Sequence, residues 1–385
     1  MDNHFKWLHM GERKGFLVMK KIDSTSSQIS VSNQKEVTRE GGKVKNRLLH
    51  NKLDKKTLIK RLEAETVPRK TISFYRYQIL ENLRAYRAEL YKEWEDFGVL
   101  GRIYIAEEGI NAQVSVPEDK VEFLRESVNR RFPGTPFKVA VEEGTSFLKL
   151  TIKVRKKILA DGQDDHSYDV TNVGKHLSAK EWNEALEDPN SVVVDVRNHY
   201  EHEVGHFRNA LLPDADTFSE ELPVIKEMLK GAENKKVLLY CTGGIRCEKT
   251  SSWLKHHDFK DVNQLHGGII DYKRQIDEQG LENKFVGKNF VFDERLGERI
   301  SEEVIAKCHT CGESCDSHLN CAWPGCHVLF IQCAKCRQKL DACCSTSCQE
   351  KNALTEDEKK ILLKSEPAAT TRYRRLRPKV EPQTI

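Results

Sequence analysis

Apolar positions along this chain follow two periods, and their alternation predicts most of its elements. Thr71-Ile-Ser-Phe-Tyr-Arg-Tyr77 alternates with period two and reads as a strand. Leu83, Tyr86, Leu90 and Trp94 fall at helical spacing within 81–97, a run that stops at Gly98. Strands are expected over 99–106 and 110–116, with a turn at Gly109 between them. A helix over 121–132 is closed by Pro133-Gly134, and 137–141 and 147–154 supply closing strands. The order β-α-β-β-α-β predicts a ferredoxin-like sandwich over residues 48–160, led in by a helix over 54–64 that ends before Val67-Pro68. Asp161-Gly-Gln-Asp-Asp165 lacks the rest of a calcium loop and is expected to be a solvated linker turn.

The second half is patterned differently. Ser191-Val-Val-Val-Asp-Val-Arg197 and Lys236-Val-Leu-Leu-Tyr240 are short apolar runs of β type, and helices are expected over 178–187, 218–230 and 248–257. Together they predict an α/β unit with a mostly parallel sheet over 170–283. In Gly287 to Arg299, charges interleave with Phe290, Phe292 and Leu296, which predicts a segment that clamps back onto a preceding domain. A Cys-rich module follows within 284–350. The fold class is therefore α/β and α+β multidomain, flanked by a polar, disordered extension over 1–47 and a basic, flexible tail over 351–385.

Charge changes this picture at the ends. The net charge of the 385 residues is +4, but residues 1–70 carry 17 Lys/Arg against 8 Asp/Glu, leaving the rest net negative. Arg372-Tyr-Arg-Arg-Leu-Arg377 adds a second basic stretch with an interleaved aromatic, a composition that suits a polyanion such as RNA and equally suits solvated ends that bind nothing. No apolar run approaches the ~18 residues of a membrane-spanning helix, and Phe16-Leu-Val-Met19 is too short for a secretory core. The expectation is an intracellular, cytoplasmic protein with no membrane contact.

Twelve cysteines concentrate the candidate chemistry. Tyr240-Cys-Thr-Gly-Gly-Ile-Arg-Cys247 joins a strand to a helix, so Cys241 should sit before unpaired backbone N–H groups that favour a thiolate. Gly243 and Gly244 let the turn curl around the sulfur, Arg246 adds a positive charge, and Cys247 is a resolving thiol or a small buried residue. The other ten lie between Cys308 and Cys348. Two Cys-x-x-Cys pairs 21 residues apart match a zinc ribbon, with Cys308, Cys311, Cys333 and Cys336 as ligands of a structural zinc. A second site draws on Cys315, Cys321, Cys326, Cys344, Cys348, His318 or His327. The competing reading has paired cysteines relaying persulfide or disulfide with Cys241.

Four motifs in order, Asp195-Val-Arg197, Glu201 to His206, Cys241 to Arg246, and His266-Gly-Gly-Ile269, resemble the rhodanese domain. Adding Thr71 to Tyr75, Glu108-Gly-Ile-Asn-Ala-Gln113, Gly287 to Ile300 and the cysteine block, the chain from about Leu48 to Glu350 resembles the oxygen-dependent tRNA uridine hydroxylases. That resemblance implies an acylphosphatase-like N-terminal domain, a rhodanese domain and a Cys-rich end. It also implies 5-hydroxylation of the wobble uridine, with dioxygen as co-substrate, the tRNA anticodon loop as partner and Cys241 as nucleophile or persulfide carrier. Arg246 is then an electrostatic helper or a tie holding the loop. No flavin, nicotinamide or obligate protein partner is expected. A thiosulfate-type sulfurtransferase and a non-catalytic RNA-binding protein are the rival readings.

Overall fold

The computed structural model describes residues 51, 53–164 and 167–365. The expected N-terminal extension, the Arg372–Arg377 stretch and Asp165 lie outside the described residues. Helix α1 (Lys55–Glu63) starts at Asp54, whose carboxylate accepts from the Thr57 N–H, a side-chain cap of the first turn. The first unit then runs β1 (Arg69–Tyr77), α2 (Leu83–Asp96), β2 (Leu100–Ala106), β3 (Gly109–Pro117), α3 (Val121–Arg131), β4 (Lys138–Val139) and β5 (Leu150–Val154). Strands lie in the order β4-β1-β3-β2-β5. The first four form the antiparallel ferredoxin-like sheet, whereas β5 adds to the far edge parallel to β2. Both helices cover one face through Phe74, Trp94, Val128 and Phe132, and the buried Trp94 indole donates to Ser127 Oγ at 3.0 Å.

The second unit comprises β6 (Lys175–Leu177), α4 (Ala179–Leu186), β7 (Ser191–Asp195), α5 (His199–His202), β8 (Gly205–Phe207), α6 (Phe218–Met228), β9 (Lys236–Tyr240), α7 (Ile245–His256), β10 (Asp261–Leu265) and α8 (Gly268–Gln279). Its sheet, β6-β10-β9-β7, is parallel throughout. Ser178 and Glu181 cap α4 reciprocally. Asp195 and Arg197, which the sequence marked, are wholly buried and bidentate at 2.8 and 2.6 Å. Arg197 also donates to the Gly205 carbonyl, so this pair pins β7 to β8 and is architectural.

The third part begins with β11 (Phe285–Asn289), which pairs with β8 on one side and with β12 (Glu298–Arg299) on the other. Between them the chain reaches the first unit, as expected of Gly287 to Arg299. Glu294 N–H donates to the Ser146 carbonyl, Arg295 to the Glu142 carbonyl, and Val141 N–H to Glu298. The hairpin β13 (His318–Asn320) and β14 (Leu329–Ile331), α9 (Ala334–Lys339) and α10 (Thr346–Ala353) follow; Cys336 and Cys348 lie on the two helices and the other cysteines of the block in the segments before and between these elements. The expected flexible tail is helical at its start, because α11 (Glu356–Ser365) packs Leu362 and Leu363 onto the Trp323 cluster.

The linker departs most from expectation. Asp161 is buried, with Lys157 Nζ at 2.9 Å and Lys249 Nζ at 3.1 Å. It is an anchor where a solvated turn was expected, because two cations reach it from opposite sides of the junction.

Candidate active site

Strand β9 ends at Tyr240 and α7 begins at Ile245, three residues earlier than the pattern predicted, so Arg246 and Cys247 already lie in its first turn. The turn depends on Gly244, at φ +95°, a left-handed conformation that residues with a Cβ rarely adopt. Its N–H donates to Cys241 Sγ at 3.1 Å, seating the sulfur on the helix N-terminus. Gly243 has a different part: a Cβ there would meet no atom, only open space. Behind the loop, Ile269 and Ile270 N–H donate to the carbonyls of Cys241 and Thr242 at 3.0 and 3.2 Å. Gly268, at φ +70°, permits that approach, since a Cβ would stand 2.5 Å from the Cys241 oxygen.

Cys241 is fully buried. Burial alone would push its thiol up. A hydrogen bond from Cys247, the Arg246 charge and the N–H groups of Cys247 and Arg246 outweigh burial and lower its pKa to about 5. Cys247 shows the opposite shift: burial, then the neighbouring Cys241, raises its thiol well above the ordinary value, so it stays protonated and donates. Arg246 is tied down. Its Nη1 and Nη2 reach the two Glu201 oxygens at 2.6 and 2.9 Å, and Nη2 also reaches Thr242 Oγ1 at 3.3 Å. The loop is thereby strapped to α5.

The residue after Cys247 binds the first unit. Glu248 accepts from the Tyr75 hydroxyl at 2.9 Å and from Gln264 at 3.0 Å, with His176 Nε2 at 3.0 Å. Burial would raise this carboxyl, but those bonds, His176 foremost, bring it below its usual range. Next to it, buried Lys249 reaches Glu108 at 3.1 Å as well as Asp161 and the Leu159 carbonyl. Glu108, marked in the sequence only as part of a longer motif, is thus the socket for α7.

These bonds hold the open face of the β1–β3–β2 sheet over the Cys241 loop and enclose a cavity of ≈380 Å³, within the size range of small-molecule sites. Its floor is Cys241, Thr242 and Gly243; Tyr75, Tyr104, Asn111 and Gln113 come from the sheet, and Phe292 closes one side. Six cations line it: Arg102, Lys138, Arg155, Lys157, Arg246 and Arg295. Asp293 and Glu298, its two acids, are both bound to Arg295 at 2.6 Å. Arg102, Lys138 and Arg155 have no carboxylate partner among the described residues. Arg155 stands 5.5 Å over the Tyr104 ring. Lys138 and Glu201 were missed as site residues; a lysine inside the apolar run Phe137 to Val141 was the available signal for the first.

The cysteine block forms two sets, each with its four sulfurs within 4.8 Å of one another: Cys308, Cys311, Cys333, Cys336, and Cys321, Cys326, Cys344, Cys348. Cys311 and Cys333, Cys326 and Cys344, and Cys344 and Cys348 have their sulfurs 3.6 to 3.7 Å apart. A zinc tetrahedron with Zn–S near 2.3 Å has edges of about 3.8 Å, while a disulfide is near 2.05 Å, so the spacing fits a metal and not a bridge. Cys315 and His318 stand apart: Cys315 Sγ accepts from Ser317 N–H, and His318 packs edge-on to Phe290. His327 is also outside both sets. Along the chain the pairs alternate between the sets, so the two sites interlock. Cys308 and Cys336 pack with Tyr200 of α5, and His309 Nε2 lies 2.7 Å from Glu203. The first set therefore sits directly behind the helix that holds Arg246.

Fold and site define a rhodanese-type thiolate enzyme whose cavity is completed by an acylphosphatase-like unit. Family models agree part by part: a UPF0176 acylphosphatase like domain matches residues 69–158, a rhodanese-like domain 178–275, and a rhodanase C-terminal region 286–349. A tRNA uridine(34) hydroxylase from Leptospira interrogans is 59% identical over 323 residues, 83% of this chain and 88% of that protein. Proteins of the same name from Salmonella arizonae (52% identity; 81% of this chain, 91% of that one) and Pectobacterium atrosepticum (50%; 82% and 90%) match comparably. The chain belongs to the tRNA uridine(34) hydroxylase family.

Proposed function

We propose that this protein hydroxylates C5 of the wobble uridine of tRNA, with dioxygen as co-substrate and Cys241 as nucleophile. The observation that carries the reading is a low-pKa sulfur on the floor of a cation-lined, nucleoside-sized cavity, roofed by tyrosines and amides of the first unit. A small sulfur donor such as thiosulfate needs no such roof. A flipped base does: Tyr75, Tyr104 and Phe292 offer stacking surface, Asn111 and Gln113 offer hydrogen bonds, and Arg102 and Arg155 attract the backbone phosphates. The base lies in a single-stranded loop, so extruding it costs little.

Uracil C6 is electrophilic. The Cys241 thiolate adds there, the C5=C6 pair moves toward C4 and O4, and C5 becomes the electron-rich carbon that takes one atom of dioxygen, while two electrons from an external reductant and two protons carry the other atom to water. Loss of the C5 proton and expulsion of the sulfur restore the ring. The Gly244 N–H and the Cys247 S–H receive the returning thiolate. Arg246, committed to Glu201, supplies field and rigidity.

Two structural zinc ions, one per four-thiolate set, hold the C-terminal part together and support α5. The cytoplasm is the compartment that supplies tRNA and keeps such thiols reduced. Among the described residues no helix is long and apolar enough to cross a membrane.

Incubation with unmodified tRNA under dioxygen, followed by weighing of the nucleosides, tests the reading. A gain of one oxygen at uridine 34, lost in Cys241→Ala, is expected. A gain of one sulfur would make the protein a sulfurtransferase, and an unchanged mass would leave only RNA binding.

A further inference from the structure

One cation in the cavity wall has no part in the scheme above. Lys138 lies on β4 opposite Ser73 of β1, only 9% exposed, and lines the cavity together with Cys241. Its Nζ stands 4.4 Å from the centre of the Tyr75 ring. Among the described residues its ammonium has no hydrogen-bond or ion-pair partner. The charges that act on it are Cys241 first, then Asp271 and Glu248. Those carboxylates are committed elsewhere, Asp271 to Arg274 and Gln275, Glu248 to Tyr75 and Gln264. Burial lowers the Lys138 pKa to about 8, which leaves it mostly protonated at neutral pH.

A buried ammonium that has an aromatic face but no hydrogen-bond acceptor or counter-ion is costly to maintain. Its position is informative. It lines the same cavity as Tyr75, whose ring it covers, and as Cys241, the charge that acts on it most. An ammonium only donates. It therefore matches a carbonyl oxygen and mismatches the amino group that cytosine carries at the same ring position.

We propose that Lys138 is a substrate-facing catalytic residue that donates to O4 of the uracil ring and stabilises the charge arriving there when Cys241 adds to C6. This rests on the reaction proposed above. The electrons balance without an oxidant. The thiolate pair forms the S–C6 bond, the C5=C6 π pair becomes a C4=C5 bond, and the carbonyl π pair moves to O4 opposite the ammonium. A solvent proton adds to C5; loss of the original C5 proton and expulsion of the thiolate then return uracil unchanged except for the exchanged hydrogen. The interaction strengthens as charge develops, so it acts on the rate more than on binding. The same donor makes the cavity selective for uridine over cytidine.

The test is tritium release from an anticodon stem-loop carrying 5-tritiated uridine, incubated with the full-length enzyme without oxygen. Wild type should release tritium, and Cys241→Ala should not. Lys138→Met should slow release by roughly 10²- to 10³-fold, as loss of an oxyanion donor does, with melting temperature unchanged or raised because a lone buried charge is removed. Lys138→Arg should recover part of the rate. Release by Lys138→Met at the wild-type rate overturns the assignment. So does a slow rate accompanied by a fall in melting temperature, the mark of a lysine that served the fold. If wild type releases none, the C6 addition falls together with Lys138, while the product mass under dioxygen still reports separately on hydroxylation.

Discussion

Arg246 gives both terminal nitrogens to one carboxylate, that of Glu201, across 45 positions of sequence and with neither side chain open to solvent. Removing the acid would leave a buried guanidinium without its counter-ion. Glu201→Gln is therefore expected to lower stability by about 3 to 5 kcal/mol, measured by urea unfolding. A loss below about 1 kcal/mol would mean that the strap carries little.

The acidity of Cys241 predicts a pH profile. Alkylation by a small iodoacetamide entering the cavity should rise through pH 5 and be flat at neutrality, whereas an ordinary thiol reaches only its midpoint at about 8.5. Folding lowers this pKa, so the stability that the thiolate contributes is complete only above the pKa of the unfolded thiol. It declines as pH falls and is gone below about 5. Cys247→Ala removes the S–H donor, and the alkylation midpoint should move up; an unmoved midpoint would remove Cys247 from the account.

Metal analysis should find two zinc ions per chain, and Cys308→Ser or Cys321→Ser should each lower that number. Stripping the metal with a strong chelator should cost on the order of several kcal/mol of stability. Hydroxylation should fall with it, since the first set packs behind α5. A protein that keeps its melting temperature without metal would refute the interlocked sites.

Gly268→Ala tests the seat of the loop. The new methyl would stand 2.5 Å from the Cys241 oxygen and 2.7 Å from that of Thr242, so the loop must shift. Displacement by about 1 Å costs roughly 10²-fold in rate. The variant should show native circular dichroism, a thiol titrating closer to the ordinary value, and activity reduced by about that factor. Full activity would show that the loop tolerates the push.

Much of this was legible from pattern. Period-two and period-3.6 runs marked the strands of the first sheet and helices α2 and α3, and the spacing of Cys241, Gly244 and Arg246 marked the thiolate loop. What was not legible has a common cause. Glu201, Glu108, Asp161 and Lys138 are polar residues whose partners or targets lie far along the chain. Periodicity reports which face of an element is covered, not what covers it, and a carboxylate awaiting a distant lysine looks like any solvated acid. Asp161 is the clear case: its turn composition predicts water, and Lys249, 88 positions on, makes it interior. The parallel edge strand β5 was missed in placement for the same reason, since alternation names a strand without naming its neighbour.

The alternation of cysteine pairs between the two sets has a consequence for synthesis. A chain emerging from the ribosome in order exposes half of each ligand set first, so the first set stays incomplete until Cys336 has been made and the second until Cys348. The α5 helix, whose Glu201 fixes Arg246, lacks its backing until then. Products terminated before Cys336 are therefore expected to lack uridine chemistry, since neither set is then complete.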